Sequence, residues 1–123
     1  MIIIIGGAYQ GKLAYALERF NLTEEDVYAC NDEETVMPQG KRIINGLEKW
    51  LLALVRNDVG IPDNFINNCK DTIIICNDIS CGVVPVDRVL RRWREAVGRA
   101  LGALAQQSDE VVRLFCGIPT RIK

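Results

Sequence analysis

The chain has 123 residues and a formal net charge of −1 at pH 7. That length is enough to bury one hydrophobic core but not two, so we expect a single domain over residues 1–123. Hydrophobic residues make up 49% of the chain and charged residues 25%, which excludes an intrinsically disordered protein. The near-neutral charge gives no indication of a nucleic-acid partner.

The apolar run at residues 1–5 ends at Gly6 and lacks the basic start and small-residue cleavage site of a signal peptide. No other apolar stretch approaches the roughly 20 residues needed to cross a bilayer. We therefore expect a soluble, cytoplasmic protein without a membrane partner.

The cysteines are odd in number, form no CxxC pair and have no histidine beside them in the sequence. This pattern favours reduced, buried thiols over a metal–thiolate site. The five positions are Cys30, Cys69, Cys76, Cys81 and Cys116.

The first predicted strand is the run "IIII" at residues 2–5, which is β-branched throughout. Such a run without polar alternation is typical of a central strand covered on both faces of a parallel sheet. After the glycines, Leu13, Ala16, Leu17 and Phe20 recur at helical spacing, so a helix follows. "DVYAC" at residues 26–30 is a plausible second strand.

"KRIIN" at residues 41–45 predicts a short strand, and the apolar spacing within "GLEKWLLALVRND" at residues 46–58 predicts a helix. The next segment, "PDNFINNCK" at residues 62–70, is interpreted as a polar connection. "DTIIICN" at residues 71–77 then supplies another β-branched core strand.

The longest predicted helix covers residues 85–107, followed by a last strand, "DEVVRLFC", at residues 109–116. The end of the chain, "GIPTRIK", is interpreted as a loop or tail. The predicted apolar face of the long helix comprises Val86, Val89, Leu90, Trp93, Val97, Leu101, Leu104 and Ala105. Strands that alternate with helices indicate an α/β fold, a mostly parallel β-sheet flanked by helices.

The segment between the first strand and the first helix has the spacing GxxxxGK. In this context the glycines let backbone N–H groups converge on phosphate oxygens, and the lysine reaches the terminal phosphates. We therefore predict a single P-loop-containing nucleotide-binding domain; the alternative is a plain strand-to-helix turn with a chance lysine. The predicted nucleotide-binding residues are Gly6, Gly7, Ala8, Tyr9, Gln10, Gly11, Lys12 and Leu13.

Leu13 occupies the position at which such a loop normally carries Ser or Thr to hold Mg²⁺. Its side chain has no oxygen, and phosphoryl transfer relies on a metal that bridges the β- and γ-phosphate oxygens. The sequence therefore predicts that phosphoryl transfer is weakened more than nucleotide binding. Mg²⁺ held by a carboxylate elsewhere in the chain is left open.

Several segments resemble the adenosylcobinamide kinase / adenosylcobinamide-phosphate guanylyltransferase family. The opening "IIIIGGAYQGK" looks like the start of that family, and "INGLEKWLL" is similar to its Asp-Cys-Leu-Thr-Leu-Trp segment, with Leu47 and Trp50 kept. From residue 76 to the end, many positions stand in one register with the family pattern. They are Asn77, Gly82, Val84, Pro85, Arg94, Gly98, Arg99, Asp109, Glu110, Val111, Gly117 and Lys123.

The resemblance implies a protein that binds GTP or ATP and a corrinoid and that forms homo-oligomers. Guanylyl transfer in that family passes through a guanylylated histidine, and this chain contains no histidine. We therefore expect no guanylyltransferase activity by the family mechanism. The aspartate that ends the family's strand before its tryptophan helix is Asn45 here, an uncharged and weaker ligand for Mg²⁺.

Three further residues gain candidate roles from the resemblance. Asp78 matches a family glutamate at the end of the "TIIIC" strand. Lys12 and Asp78 are therefore the candidate catalytic residues, and Asp78 is also a candidate Mg²⁺ ligand. The alternative, with equal weight, is that Asp78 only caps a turn. Asn45 and Trp50 are candidate substrate-binding residues, although a tryptophan on an apolar helix face more often packs in the core.

Three functions follow from these patterns. The first is a nucleotide-binding relative of the cobinamide kinase that lacks guanylyltransferase activity and has weakened or lost kinase activity. The second is a working minimal kinase that phosphorylates adenosylcobinamide or a related alcohol. The third is a non-catalytic oligomeric scaffold.

Overall fold

A computed structural model describes residues 1–79 and 86–123. Residues 80–85 lie outside the described part, and with them Cys81 and three positions of the family pattern, Gly82, Val84 and Pro85. Among the helices of the described part, none combines the length and the apolar character required to cross a membrane.

The strands of the described residues form one six-stranded sheet. They are β1 (Ile2–Gly6), β2 (Val27–Ala29), β3 (Ile43–Asn45), β4 (Ile73–Asn77), β5 (Glu110–Phe115) and β6 (Ile118–Arg121). Their order across the sheet is β2-β3-β4-β1-β5-β6; the first five strands are parallel, and β6 is antiparallel to β5. The predicted α/β fold and the central position of the first strand are therefore confirmed.

Helices cover both faces of this sheet. They are α1 (Lys12–Arg19), α2 (Leu47–Arg56), α3 (Phe65–Asn68) and α4 (Arg88–Gln107). Ile3 belongs to a core cluster with the buried side chains of α2 and α4, whereas its neighbour Ile4 packs with Ala16 of α1 on the opposite face. Because successive strand residues point to opposite faces, both cores draw on the same strand, and β1 is therefore apolar at every position.

The segment at residues 62–70 is not the purely polar connection that the sequence predicts. It contains the one-turn helix α3, whose Phe65 is fully buried. The rings of Phe65 and Trp50 lie 4.7 Å apart between centroids. This aromatic contact joins residues that are distant in the sequence. The Asn and Asp residues around Phe65 predict a loop, and the local pattern gives no sign of the contact.

The end of the chain is not a tail but the edge strand β6. Cys116 and Gly117 both have positive φ, 52° and 74°, and reverse the chain between β5 and β6 in two residues. A pair of left-handed residues is the geometry of a tight hairpin turn. Cysteine is an uncommon residue in that conformation, and Pro119 weakens the strand pattern, so the hairpin was missed.

The long helix begins at Arg88, three residues later than predicted. Asp87 is its N-cap, and its carboxylate accepts a hydrogen bond from the Leu90 N–H at 3.0 Å. Val86 precedes the helix and is 92% exposed, and Val89 and Leu90 are partly exposed as well. The buried stripe of α4 is therefore shorter than predicted and consists of Val97, Ala100 and Leu104.

Three of the four described cysteines are buried and free, as predicted, but Cys116 is exposed in the β5–β6 turn. Burial raises the pKa of the Cys30 thiol to about 12 and that of Cys69 to about 11. Burial also raises the pKa of Cys76 above its ordinary value. These three thiols are therefore protonated at neutral pH, which makes them poor nucleophiles.

An ion pair ties the end of α1 to the start of β5. The Arg19 guanidinium donates two hydrogen bonds, of 2.6 and 2.8 Å, to the two carboxylate oxygens of Glu110. The same guanidinium lies over the Phe20 ring, 4.7 Å from its centroid. Its hydrogen bonds hold the pKa of Glu110 below the ordinary value.

We predict that Glu110→Gln lowers the free energy of unfolding by about 0.5–1 kcal/mol at pH 7, the scale of an ion pair screened by solvent. Because the pKa of Glu110 is lower in the folded protein, the contribution is present above its unfolded value of about 4.3. It is lost as the pH falls through the folded value. Urea unfolding of both proteins at pH 7 and pH 3 tests this, and an equal difference at the two pH values would contradict it.

Candidate functional site

The glycine-rich loop connects β1 to α1 at the carboxyl edge of the sheet, where ligands bind in open parallel sheets. Gly11 precedes α1 with a φ of 80°, and no side chain caps the helix. Tyr9 is left-handed too, with a φ of 60°, and its side chain is fully exposed. A left-handed residue followed directly by a helical one turns successive N–H groups toward one point, which suits an anion.

Gly6 is the last residue of β1 and pairs with Leu114 of β5. A Cβ added at Gly6 would lie 2.6 Å from the Leu114 carbonyl oxygen, whereas at Gly7 its nearest neighbour would be Gln10 Cγ at 3.8 Å. A side chain is therefore excluded at Gly6, where it would meet the backbone of the paired strand, but not at Gly7, where there is room for a methyl group.

Lys12 is the first residue of α1, and its side chain is buried against the loop. Its ammonium group donates a 2.6 Å hydrogen bond to the Gly7 carbonyl. Burial lowers the pKa of Lys12, and the nearby Glu48 carboxylate acts in the opposite direction. The Lys12 side chain therefore folds back over the loop, and its ammonium group lies beside the backbone that is predicted to bind phosphate.

Gln10 connects the loop to the β5–β6 turn. Its side-chain carbonyl accepts a hydrogen bond from the Cys116 N–H in the β5–β6 turn. The hairpin that the sequence failed to predict thus supports the middle of the glycine-rich loop.

A cleft of about 290 Å³ lies beside the loop, over the carboxyl ends of β3 and β4. Its polar and loop residues come from three segments that are distant in the sequence. They are Tyr9, Gln10, Gly11, Lys12, Leu13, Asn45, Gly46, Glu48, Lys49 and Asn77. The structure therefore brings Asn45 and five of the eight predicted loop residues together in one cleft, whereas Gly6, Gly7 and Ala8 are not among the residues that line it.

A second helix begins at this cleft. Gly46 precedes α2 with a φ of 81°, and α2, like α1, has no side-chain cap. Since unpaired N–H groups and the helix dipole place partial positive charge at each N-terminus, two such ends border the same space. This arrangement suits a ligand with several negative charges.

Glu48 is the residue of the cleft that sequence reasoning missed. It lies in the first turn of α2 and is only 4% exposed. One carboxylate oxygen accepts the Asn77 N–H at 3.2 Å; the other, Oε2, has no hydrogen-bond partner among the residues that the structure describes. Burial raises the pKa of Glu48, while the Asn77 N–H and the ammonium groups of Lys49 and Lys12 act against that rise.

A signal for Glu48 was present in the sequence. It is an acidic residue two positions after the Asn-Gly pair at the end of a strand, and polar residues at the carboxyl ends of parallel strands gather at one edge. The apolar spacing of Leu47, Trp50 and Leu51 predicts the core-facing side of that helix, and it says nothing about the burial of Glu48.

Two other predicted site residues lie apart from the cleft lining. Trp50 is fully buried in the core, where its indole N–H donates to the Thr35 carbonyl at 3.2 Å. Asp78 follows β4, is half-buried, and its N–H donates to the Gly6 carbonyl at 2.8 Å. Its backbone therefore lies next to the start of the loop, although Asp78 is not among the residues that line the cleft.

Parts of the chain are similar to a known protein family and to one of its characterised members. A family model described as cobinamide kinase / cobinamide phosphate guanyltransferase matches residues 61–122, half of the chain. A segment of 51 residues, 42% of this chain, is 35% identical to the bifunctional adenosylcobalamin biosynthesis protein CobU of Salmonella typhimurium. The matched segment spans 28% of that relative. The family match begins after the glycine-rich loop, so it does not include that loop.

We predict that Gly6→Ala destabilises the protein by about 1–3 kcal/mol, because the added methyl group meets the backbone of β5 and forces β1 and β5 apart. Gly7→Ala is the matched control and is expected to change the free energy of unfolding by less than about 0.5 kcal/mol. Thermal unfolding followed by circular dichroism measures both variants. Equal stability of the two would contradict this account of Gly6.

Proposed function

The chain belongs to the cobinamide kinase / cobinamide phosphate guanyltransferase family, and from that premise we propose that it binds a nucleoside triphosphate, GTP or ATP, in the cleft beside its glycine-rich loop. The single observation that carries this proposal is the meeting of two uncapped helix N-termini and Lys12 at one edge of the sheet. Backbone N–H groups and one ammonium group are the donors that phosphate oxygens require.

Lys12 has the central part in this binding. Its ammonium group exchanges the Gly7 carbonyl for a phosphate oxygen, which is an exchange of a neutral acceptor for a charged one. Hydrogen bonds between charged groups are about twice as strong as neutral ones, so the exchange favours the bound state. The Gly7 contact keeps the lysine at the loop when it is not engaged with phosphate.

The proposed activity is narrower than that of a bifunctional enzyme. Guanylyl transfer by a histidine nucleophile is excluded for this chain, which has no histidine. Two positions of the cleft, Leu13 and Asn45, carry no charged ligand for the cation that phosphoryl transfer uses. We therefore propose a nucleotide-binding protein with weakened or lost kinase activity that is connected to corrinoid metabolism.

A working minimal kinase is the second candidate, and the position of Asp78 beside the loop supports it. The Asp78 N–H donates to the carbonyl of Gly6, so the backbone of Asp78 lies beside the start of the loop that would hold the phosphates. Positioning and electrostatic stabilisation account for most of the catalysis of phosphoryl transfer. The acceptor in this case is the alcohol of adenosylcobinamide or a related compound.

We predict that the wild-type protein binds GTP or ATP and that Lys12→Ala weakens binding by about 10- to 100-fold, the loss of one charge-assisted hydrogen bond. Isothermal titration calorimetry with each nucleotide measures the dissociation constants. Lys41→Ala is the matched control, because that lysine lies outside the cleft and donates to the Glu25 carbonyl. Wild-type protein that binds neither nucleotide, or equal affinities of wild type and Lys12→Ala, would refute the proposal.

We predict that incubation with GTP labelled at the α-phosphorus leaves no label on the protein, because no imidazole is present to accept GMP. With the γ-phosphorus labelled and adenosylcobinamide added, we expect little or no labelled product. Thin-layer chromatography and gel electrophoresis separate these outcomes. Rapid formation of labelled product that Asp78→Asn abolishes would instead establish the minimal kinase.

A further inference from the structure

The buried carboxylate of Glu48 is incompletely satisfied. Oε1 accepts the Asn77 N–H, but Oε2 lies against Gly46 without a hydrogen-bond donor among the described residues. A buried polar atom that lacks a partner destabilises the fold, and more so when it is charged. Among the described residues no donor lies within hydrogen-bond distance of Oε2, so a cation or donor brought to this oxygen by a ligand would satisfy it.

The surroundings of Glu48 fit a hard divalent cation. Among the described residues that line the cleft, Glu48 carries the one carboxylate, and Asn45 and Asn77 add amide groups. Carboxylate and amide oxygens are the protein ligands that Mg²⁺ accepts. Leu13, by contrast, offers no oxygen, so the usual loop position does not take part.

We propose that Glu48 is the carboxylate ligand of a divalent cation, Mg²⁺ in the first instance, that binds in this cleft together with the nucleotide phosphates. The inference rests on the proposed function and deepens it, since it assigns the cation to a residue of α2 and not to the first turn of α1. When bound, such a cation neutralises charge on the β- and γ-phosphate oxygens.

The small number of protein ligands explains why the cation would bind together with the nucleotide and only weakly without it. In residues 1–79 and 86–123, no three His, Cys, Asp or Glu side chains form a group that could hold a metal ion. Mg²⁺ typically uses one or two carboxylates, with phosphate oxygens and water in the other positions. One carboxylate at the cleft therefore predicts weak binding of the cation alone and strong binding with a triphosphate.

The placement of the charges supports the same arrangement. Lys12 lies at the start of α1 and Glu48 at the start of α2, and each affects the pKa of the other. A triphosphate between them is contacted by an ammonium group on one side. On the other side the Glu48 carboxylate would repel phosphate, and a cation between the two anions converts that repulsion into attraction.

Glu48→Gln is the direct test, because it removes the charge and keeps an oxygen for the Asn77 N–H. The dissociation constant of a non-hydrolysable GTP analogue is measured by calorimetry with excess Mg²⁺ and with EDTA. We expect Mg²⁺ to tighten binding to the wild-type protein by about tenfold or more, within the range of coupling between two sites. In Glu48→Gln the ratio falls close to one, while binding in EDTA is unchanged or tighter.

Asn45→Asp in the Glu48→Gln background supplies the rescue. Asn45 lines the same cleft, so the double variant returns one carboxylate to the site at a different position. It is expected to recover most of the Mg²⁺ enhancement. Should Glu48→Gln fail to fold by circular dichroism, Glu48→Leu removes the same charge and replaces the buried carboxylate by an apolar side chain, although the Asn77 N–H then loses its acceptor, and the same loss of enhancement is expected.

Mn²⁺ gives a readout that does not depend on nucleotide affinity. Electron paramagnetic resonance of Mn²⁺ is recorded with the wild-type protein and the GTP analogue, and with Glu48→Gln under saturating nucleotide. Hyperfine lines in the wild type that differ from those of the protein-bound Mn²⁺–nucleotide complex of Glu48→Gln support the proposal, whereas identical spectra of the two bound complexes contradict it. Glu24→Gln removes an exposed carboxylate outside the cleft, so it serves as the matched control and is expected to resemble the wild type.

The following results would overturn the assignment. One is a Mg²⁺ enhancement that Glu48→Gln retains in full; the other is an enhancement that Asp78→Asn abolishes and Glu48→Gln does not. Nucleotide binding by the wild type in EDTA without any Mg²⁺ enhancement also rejects this inference but leaves the proposed function standing. Failure of the wild type to bind nucleotide under both conditions rejects both.

Discussion

The pairing of β1 with a parallel neighbour on each side determines where the site lies. The carboxyl end of β1 is fixed by both neighbours, because Gly6 pairs with Asn77 of β4 on one side and with Leu114 of β5 on the other. The chain must then leave the sheet at that point, and the glycine permits the close approach of β5. From the same edge, α1 returns over one face and α2 over the other, each after a left-handed glycine. The cleft between their N-termini is thus a consequence of sheet pairing.

Features with a strong local cause could be predicted from the sequence. The run "IIII" is apolar because both faces of β1 are covered, and this fixed the fold class and the central strand. The GxxxxGK spacing located the loop beside β1, and Asn45 proved to line the same cleft. Each of these signals depends on residues that are neighbours in the chain.

Features with a long-range cause were missed. The short helix at Phe65 depends on Trp50, which is 15 residues earlier in the chain and contacts it only in the folded protein. The strand β6 depends on pairing with β5 through an unusual Cys-Gly turn. Glu48 appeared as an ordinary charged residue of an amphipathic helix, and only the position of Gly46 and β4 shows that its carboxylate is buried. In each case, tertiary contacts override the local preference.

The family match and the candidate site cover different parts of the chain, and this has a physical explanation. Residues 61–122 contain α3, β4, α4, β5 and β6, which build the frame, whereas the cleft is lined mainly from residues 9–14 and 45–49. Backbone N–H groups can bind phosphate with almost any side chain present, so a loop can lose its hydroxyl and still present its donors. Ligands for a cation are side chains and depend on residue identity. A change at Leu13 or Asn45 therefore affects the chemistry before it affects binding, and under our proposal the Glu48 carboxylate on α2 supplies the negative charge that Asn45 lacks.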